Sequence, residues 1–346
     1  MTSAFLKSAM GFLILILFLS VTSCQHRTDL MINTVTGPIP VSKMGVTLPH
    51  EHLLFNTAMI DSIGMTHYSR DSVLRRMLPF LEELKQFKVQ TFIDGTPEFM
   101  GRDPELLAEL SRKSGINIIT TTGWYAADKG KHLPREVKEM SPEEISQIWI
   151  NEIRNGIGNT GIKPGVINIG ISGSELTEND KKLVAAACLT HLETGLSIMS
   201  FTGPALGALA QLAILKKYGV ATSAFIWMHA MEEQSKNRVL MVAERGAWIA
   251  LDGIQPDMNA SVRISGMVKY LQVIRRLDHV LLSHDATGYM IGLPNGGVIR
   301  PYTELFDSFK LLMMSEGITP QEIDMLMVKN PAEAFGVRVR KADPAK

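Results

Sequence analysis

The stretch Gly45-Val46-Thr47-Leu48-Pro49-His50-Glu51-His52-Leu53 is where the chain first offers metal chemistry. An apolar, β-prone run ends in His-x-His, with a carboxylate between the two imidazoles. Residues i and i+2 of a strand share a face, so His50 and His52 can aim at one point. Two neutral imidazoles aimed at one point suit a divalent transition metal. Two unrelated histidines near a strand end would look the same, so the motif needs further ligands from elsewhere.

The elements that would bring them follow in strict alternation. Strand-like runs are expected at Val46–Glu51, Val89–Asp94, Asn117–Thr122, Val166–Ile169, Leu196–Phe201, Thr222–Met228, Trp248–Asp252 and His279–Ser283. Helices are expected at Asp71–Phe87, Pro104–Ser114, Pro142–Asn155, Glu178–Thr194, Pro204–Tyr218, Glu232–Arg245, Ala260–Arg276 and Tyr302–Glu316. Ser141 to Gly156 and Thr177 to Gly195 carry start and stop signals of helices. Strand and helix in alternation indicate a parallel sheet. Eight units favour an α/β fold of the closed (β/α)8 TIM-barrel type, whose chemistry sits at the C-terminal ends of the strands. No Gly-x-Gly-x-x-Gly follows the first strand, which counts against a dinucleotide fold.

The barrel makes a test of the motif. His50, His52, His229 and Asp285 all fall at strand ends far apart in sequence, as a metal site would require. His229 is either a ligand, a contact to water at the site, or a satisfied interior imidazole. His284, next to Asp285, points the other way on an extended strand and reads as packing. His67, His132 and His191 read as solvated, and His279 lies at the far end of the eighth strand. Asp94 either lines the site or is an exposed or helix-capping carboxylate. Asp103 reads as the cap of Pro104–Ser114. Trp124 and Tyr125 are a substrate wall or a cover for the barrel rim.

Composition sets the broader bounds. The chain has 346 residues, 45% hydrophobic and 20% charged, with zero formal net charge. This is ordinary globular composition, and nothing in it points to a nucleic-acid partner. Lys7 precedes an apolar run, Met10 to Val21, too short to span a bilayer comfortably but suited to a secretory signal. The small residues before Cys24 resemble the lipobox of bacterial lipoproteins. That resemblance implies a signal peptide over 1–23, a lipidated Cys24, a polar tether over 24–30 and a barrel over 31–346, exported and membrane-anchored, facing the periplasm. A plain signal peptide or uncleaved anchor would leave Cys24 incidental. Cys188, the other cysteine, lies on an apolar helix face and behaves as a small hydrophobe.

Taken in order, several segments resemble the phosphotriesterase family of the amidohydrolase superfamily. They are Gly45 to Leu53, Gly101-Arg102-Asp103, Gly115 to Ile119 with Thr122 to Tyr125, Glu193-Thr194-Gly195, Arg245-Gly246 with Leu251-Asp252, Ser283-His284-Asp285, and Asn330-Pro331-Ala332. The resemblance runs from about Val41 to Phe335. It implies a (β/α)8 barrel with two divalent metals, usually zinc, bridged by a carboxylated lysine of strand four and by hydroxide. His50, His52 and Asp285 match the ligands of the first metal, and His229 matches the sixth-strand ligand of the second. Two positions depart: Asn168 stands where the bridging lysine belongs, and Phe201 where the fifth-strand histidine belongs. Lys163 precedes the strand and is no substitute.

The expectation is therefore a metal-dependent hydrolase of an ester, lactone or phosphoester, acting on a small molecule with one zinc-like ion on His50, His52, Asp285 and His229. Asp285 would take and relay a proton, His229 would orient water or stabilise charge, and Asn168 could donate a hydrogen bond. The rival expectation is a non-catalytic binding or scaffold lipoprotein, with Phe201 filling the space of a lost second metal. Related barrels often pair, so a homodimer is compatible with either.

Overall fold

The computed structural model describes residues 29–56, 68–171 and 173–343. The expected signal segment, Cys24, most of the tether and His67 lie outside the described residues. In chain order the strands are β1 (Met31–Thr34), β2 (Gly37–Pro40), β3 (Val46–Glu51), β4 (Leu54–Phe55), β5 (Val89–Asp94), β6 (Asn117–Ile119), β7 (Thr121–Thr122), β8 (Val166–Gly170), β9 (Ile198–Phe201), β10 (Phe225–Met228), β11 (Trp248–Leu251), β12 (Val280–Leu282) and β13 (Tyr289–Met290).

Parallel pairing orders them β3-β5-β6 and β7-β8-β9-β10-β11-β12, with β6 and β7 parted only by Thr120. The ring closes where the chain leaves β12. Asp285 N–H donates to the His50 carbonyl and His52 N–H to that of Ala286, both over 3.1 Å. The result is a (β/α)8 TIM barrel. Alternate strand residues divide between two cores. Ile93, Ile119, Val166, Met199, Ile226 and Leu281 fill the interior, while Phe92, Ile118, Ile167, Ile198, Phe225 and Val280 face the helices.

The helices that follow the strands carry the expected caps. Ser141 and Glu144 form a capping box ahead of α3 (Pro142–Asn155), and Thr177 and Asp180 form one ahead of α4 (Glu178–Thr194). Gly195 ends α4 at φ 77°, the left-handed cap that glycine adopts freely. The remaining outer helices are α1 (Arg70–Glu83), α2 (Pro104–Ser114), α5 (Ala205–Lys217), α6 (Lys236–Ala243) and α7 (Met258–Val273), followed by α8 (Lys310–Ser315), α9 (Pro320–Asp324) and α10 (Asn330–Phe335). Cys188 is fully buried on α4, and burial pushes its thiol up to about 12. Among the described residues no helix is long and apolar enough to cross a membrane.

Several expectations need correction. The hairpin of β1 and β2 was not foreseen; it sets Ile32 beneath the barrel interior, against the core that includes Phe335. The sixth strand starts at Phe225, after a 3-10 turn over Thr222–Ala224, and the helix expected at Glu232–Arg245 is shortened to α6. His132 and His191 are buried rather than solvated. His191 Nδ1 bonds the Leu196 carbonyl, and its Nε2 accepts the Arg340 N–H at 2.9 Å, tying the C-terminal segment to α4.

Candidate metal centre

The first strand reaches the site through a bulge. Leu48 pairs with Phe92 and Glu51 with Asp94, so β3 spends one residue more than β5 over this span. Leu48 faces the helices. Plain alternation would send His50 outward with it; the extra residue at Pro49, which has no N–H to give the ladder, turns His50 and His52 inward.

Three imidazoles then converge on one carboxylate. His52 Nε2 lies 3.0 Å and His50 Nε2 3.6 Å from Asp285 Oδ1, and His229 Nε2 lies 3.1 Å from Asp285 Oδ2. His50, His229 and Asp285 offer ligand atoms all within 4.8 Å of one another, and His52 joins them at Asp285 Oδ1.

The donor set fits a cation. His50 Nδ1 is 2.7 Å from Asp252 Oδ2 and carries the proton there. Thr96 Oγ1 donates to the Leu54 carbonyl, so it accepts from His52 Nδ1 at 2.9 Å. In the neutral rings both Nε2 lone pairs therefore face the Asp285 carboxylate, acceptor against acceptor. His229 Nε2 is buried and, despite its proximity to Asp285, has no aligned hydrogen-bond partner. A divalent ion resolves all of these contacts at once.

Without an ion, protons do so instead. Burial works to lower the pKa of His50, but Asp285 and the Asp252 hydrogen bond outweigh it and hold it above 6.5. For His229, burial is likewise outweighed, by Asp252, Asp285 and Glu232, and the pKa lies well above 6.5. Burial pushes the Asp285 pKa upward, yet the imidazoles of His50, His229 and His52 hold it well below 3.8.

Two of these residues hold unusual backbone. His229 has φ 58° and Asp285 φ 48°, both left-handed. Such residues cost of order 1–3 kcal/mol each and persist where their surroundings over-determine them. Around Asp285 the determinant is Glu51, fully buried. Its Oε1 accepts from Ser283 Oγ, His284 N–H and His284 Nδ1, and its Oε2 from Ala286 N–H. His284 Nε2 in turn accepts the Leu305 N–H, so His284 packs behind the site as expected.

Other expected residues separate. Asp94 is neither exposed nor a helix cap; it is buried and accepts the N–H groups of Leu53 and Thr96, shaping the rim. Asp103 caps α2, accepting the Leu106 N–H. Trp124 is buried and bonds Glu98, while Tyr125 lines the cavity. Asn168 reaches the site, but its Nδ2 donates to the Gly95 carbonyl at 2.5 Å. Phe201 packs its ring 4.2 Å from that of His229 and 5.4 Å from Tyr125. Lys163 is exposed ahead of β8. Sequence reasoning gave no role to Asp252, Thr96 or Gly95. Gly95 is forced by close approach: a Cβ there would lie 2.6 Å from His50 Cδ2.

The cavity over the cluster measures about 110 Å³, walled by Phe55, Pro97, Met100, Tyr125 and Phe201. No Lys or Arg lines it among the described residues.

A family model described as the phosphotriesterase family matches residues 30–335. The chain belongs to the phosphotriesterase family. Members of this family typically use divalent metals. Among its relatives is the phosphotriesterase homology protein of Escherichia coli (strain K12), 29% identical over 298 residues, covering 84% of this chain and 98% of that one. An aryldialkylphosphatase of Saccharolobus solfataricus is 25% identical over 305 residues, covering 84% and 95%. The N-acetyltaurine hydrolase of Homo sapiens is 25% identical over 346 aligned positions, covering 87% and 97%. The last two names are those of hydrolases; the first is a likeness only.

Proposed function

We propose that this member of the phosphotriesterase family is a metal-dependent hydrolase of a small, uncharged ester, lactone or phosphoester. One divalent ion would be held by His50, His52, His229 and Asp285. The observation that carries the reading is the convergence of three imidazole Nε2 atoms on the Asp285 carboxylate. The hydrolase names of two relatives support it at the level of reaction class. An ion there would supply Lewis acidity toward the substrate oxygen and lower the pKa of water. Asp285 would take the proton that the attacking water gives up and pass it to the departing oxygen as the scissile bond breaks. His229 Nδ1, 3.3 Å from Glu232 Oε1, would hold the ring so that Nε2 faces the ion. Walls that are apolar and carry no Lys or Arg among the described residues favour a short, neutral substrate.

One ion fits better than two. Asn168 has no carbamate to bridge with and turns its Nδ2 to the Gly95 carbonyl, and Phe201 gives no ligand. That same packing of Phe201 on His229 is what favours the second reading, a binding barrel without turnover.

Metal analysis of the purified soluble barrel tests the first reading. About one equivalent is expected, lost in the His50→Ala, His52→Ala double variant. No metal after reconstitution with zinc, manganese or cobalt would sink it. Bound metal with no turnover of neutral aryl esters, lactones or phosphotriesters would favour the second. The proposal extends to export, with Cys24 acylated and tethering the barrel to a membrane facing the periplasm.

A further inference from the structure

We propose that Asp252 is a positioning residue that fixes two ligands of the site at once, the ring of His50 and the backbone of His229. The inference rests on the metal reading of this site for its consequence, and on hydrogen-bond geometry for its substance. Asp252 follows the last residue of β11 and is 1% exposed. Its two oxygens go to two different strands. Oδ2 lies 2.7 Å from His50 Nδ1, at the end of β3, and Oδ1 accepts the His229 N–H at 2.8 Å, just beyond β10.

Each contact decides something the partner leaves open. A carboxylate is acceptor-only, so the His50 nitrogen facing it must carry the proton, leaving Nε2 bare and aimed at the site. Without Asp252, the neutral ring could equally protonate Nε2 and lose its donor pair. The second contact acts on the main chain. β10 ends at Met228, so ladder pairing no longer serves the His229 N–H, and the residue turns left-handed at φ 58°. Asp252 Oδ1 satisfies that buried N–H only while the turn is held. Release of Oδ1 therefore frees the backbone that aims His229 Nε2.

The pairing of β10 with β11 makes the arrangement possible. Ile226 is in register with Trp248 and Trp227 with Ile249, so the end of β11 lies beside the turn at His229. Glu51 also satisfies buried donors, but its partners flank Asp285. The partners of Asp252 are the candidate ligand residues themselves.

The test uses cobalt(II) as probe and a metal-free readout beside it. Cobalt titration of D252A should show affinity weakened about 10–100-fold, the usual effect of losing such a partner, with a changed visible absorption band. D252N keeps a single carbonyl acceptor and should fall between D252A and the natural chain. In EDTA, at a pH where the ring is neutral, 15N-histidine NMR should find His50 protonated on Nδ1, and D252A should move that proton wholly or partly to Nε2. Unchanged cobalt affinity and spectrum in both variants, with an unchanged tautomer, would overturn the assignment. Should D252A fail to fold, the near-isosteric D252N decides by the same readouts. A natural chain that binds no cobalt would sink the metal reading, while the tautomer would still judge Asp252.

Discussion

Glu51 and Gly95 shape the site through the residues packed against them. Glu51 gathers four hydrogen bonds around Asp285, and a glutamine would set an N–H₂ against donors. Glu51→Gln should lower the unfolding free energy by about 2–3 kcal/mol, the scale of charge-assisted bonds broken in a buried place. Denaturant titration measures this, and an unchanged midpoint and slope would refute the role given to Glu51. Gly95→Ala should instead act on the metal, because its Cβ must displace His50; a cobalt affinity equal to that of the natural chain would contradict this. The titrating groups give a pH dependence with a definite sign. His50 and His229 have folded pKa values above 6.5, so their stabilisation of the metal-free protein is complete below 6.5 and is lost as pH rises through those raised values. The depressed Asp285 carboxyl contributes above 3.8 and loses its contribution as pH falls through its lowered value. The EDTA-treated protein should therefore weaken as pH climbs above 6.5. Metal loading should release protons, and calorimetry in buffers of different ionisation enthalpy would count them.

At the scale of elements, local chemistry and long-range pairing parted company. The bounds of β3, β5, α2, α3 and α4 were legible because their signals are local: a β-branched run, a capping box, a glycine stop. The bulge at Pro49 was not, because only the partner strand defines a register. Nor was the hairpin of β1 and β2, whose strands are four residues each and carry little alternation. The hairpin matters to stability: Ile32 is fully buried under the barrel. Ile32→Ala should cost about 2–5 kcal/mol, the range for a large core residue cut to alanine. Its cobalt affinity should stay unchanged, since Ile32 lies at the end of the barrel opposite the site. Equal losses in both measurements would mean that the two ends are coupled.

For the whole molecule, the barrel is what turns four scattered residues into one centre. His50 and Asp285 are more than two hundred positions apart, yet they lie 3.6 Å from each other because the first and last strands close the ring. The same ring brings Asn168 and Phe201 to the cavity over that centre. Asn168→Lys combined with Phe201→His should raise metal content from about one equivalent toward two; an unchanged content would show that these positions do not border the ion. At the membrane end, mass spectrometry of the mature N-terminus should find Cys24 acylated, and an intact Met1 would exclude the tether.

By itself the sequence determined the fold class, the order of its units and the four residues His50, His52, His229 and Asp285. Alternation, caps and residue types at strand ends are properties of short stretches, and they survive without knowledge of the partner strand. Tertiary structure alone decided which groups serve those four. Asp252 meets a histidine 202 positions away, Thr96 fixes the His52 tautomer, Glu51 becomes the clamp around Asp285, and Asn168 donates to the Gly95 carbonyl. Such roles depend on which lone pair faces which donor, and that is settled only when distant strands come into register.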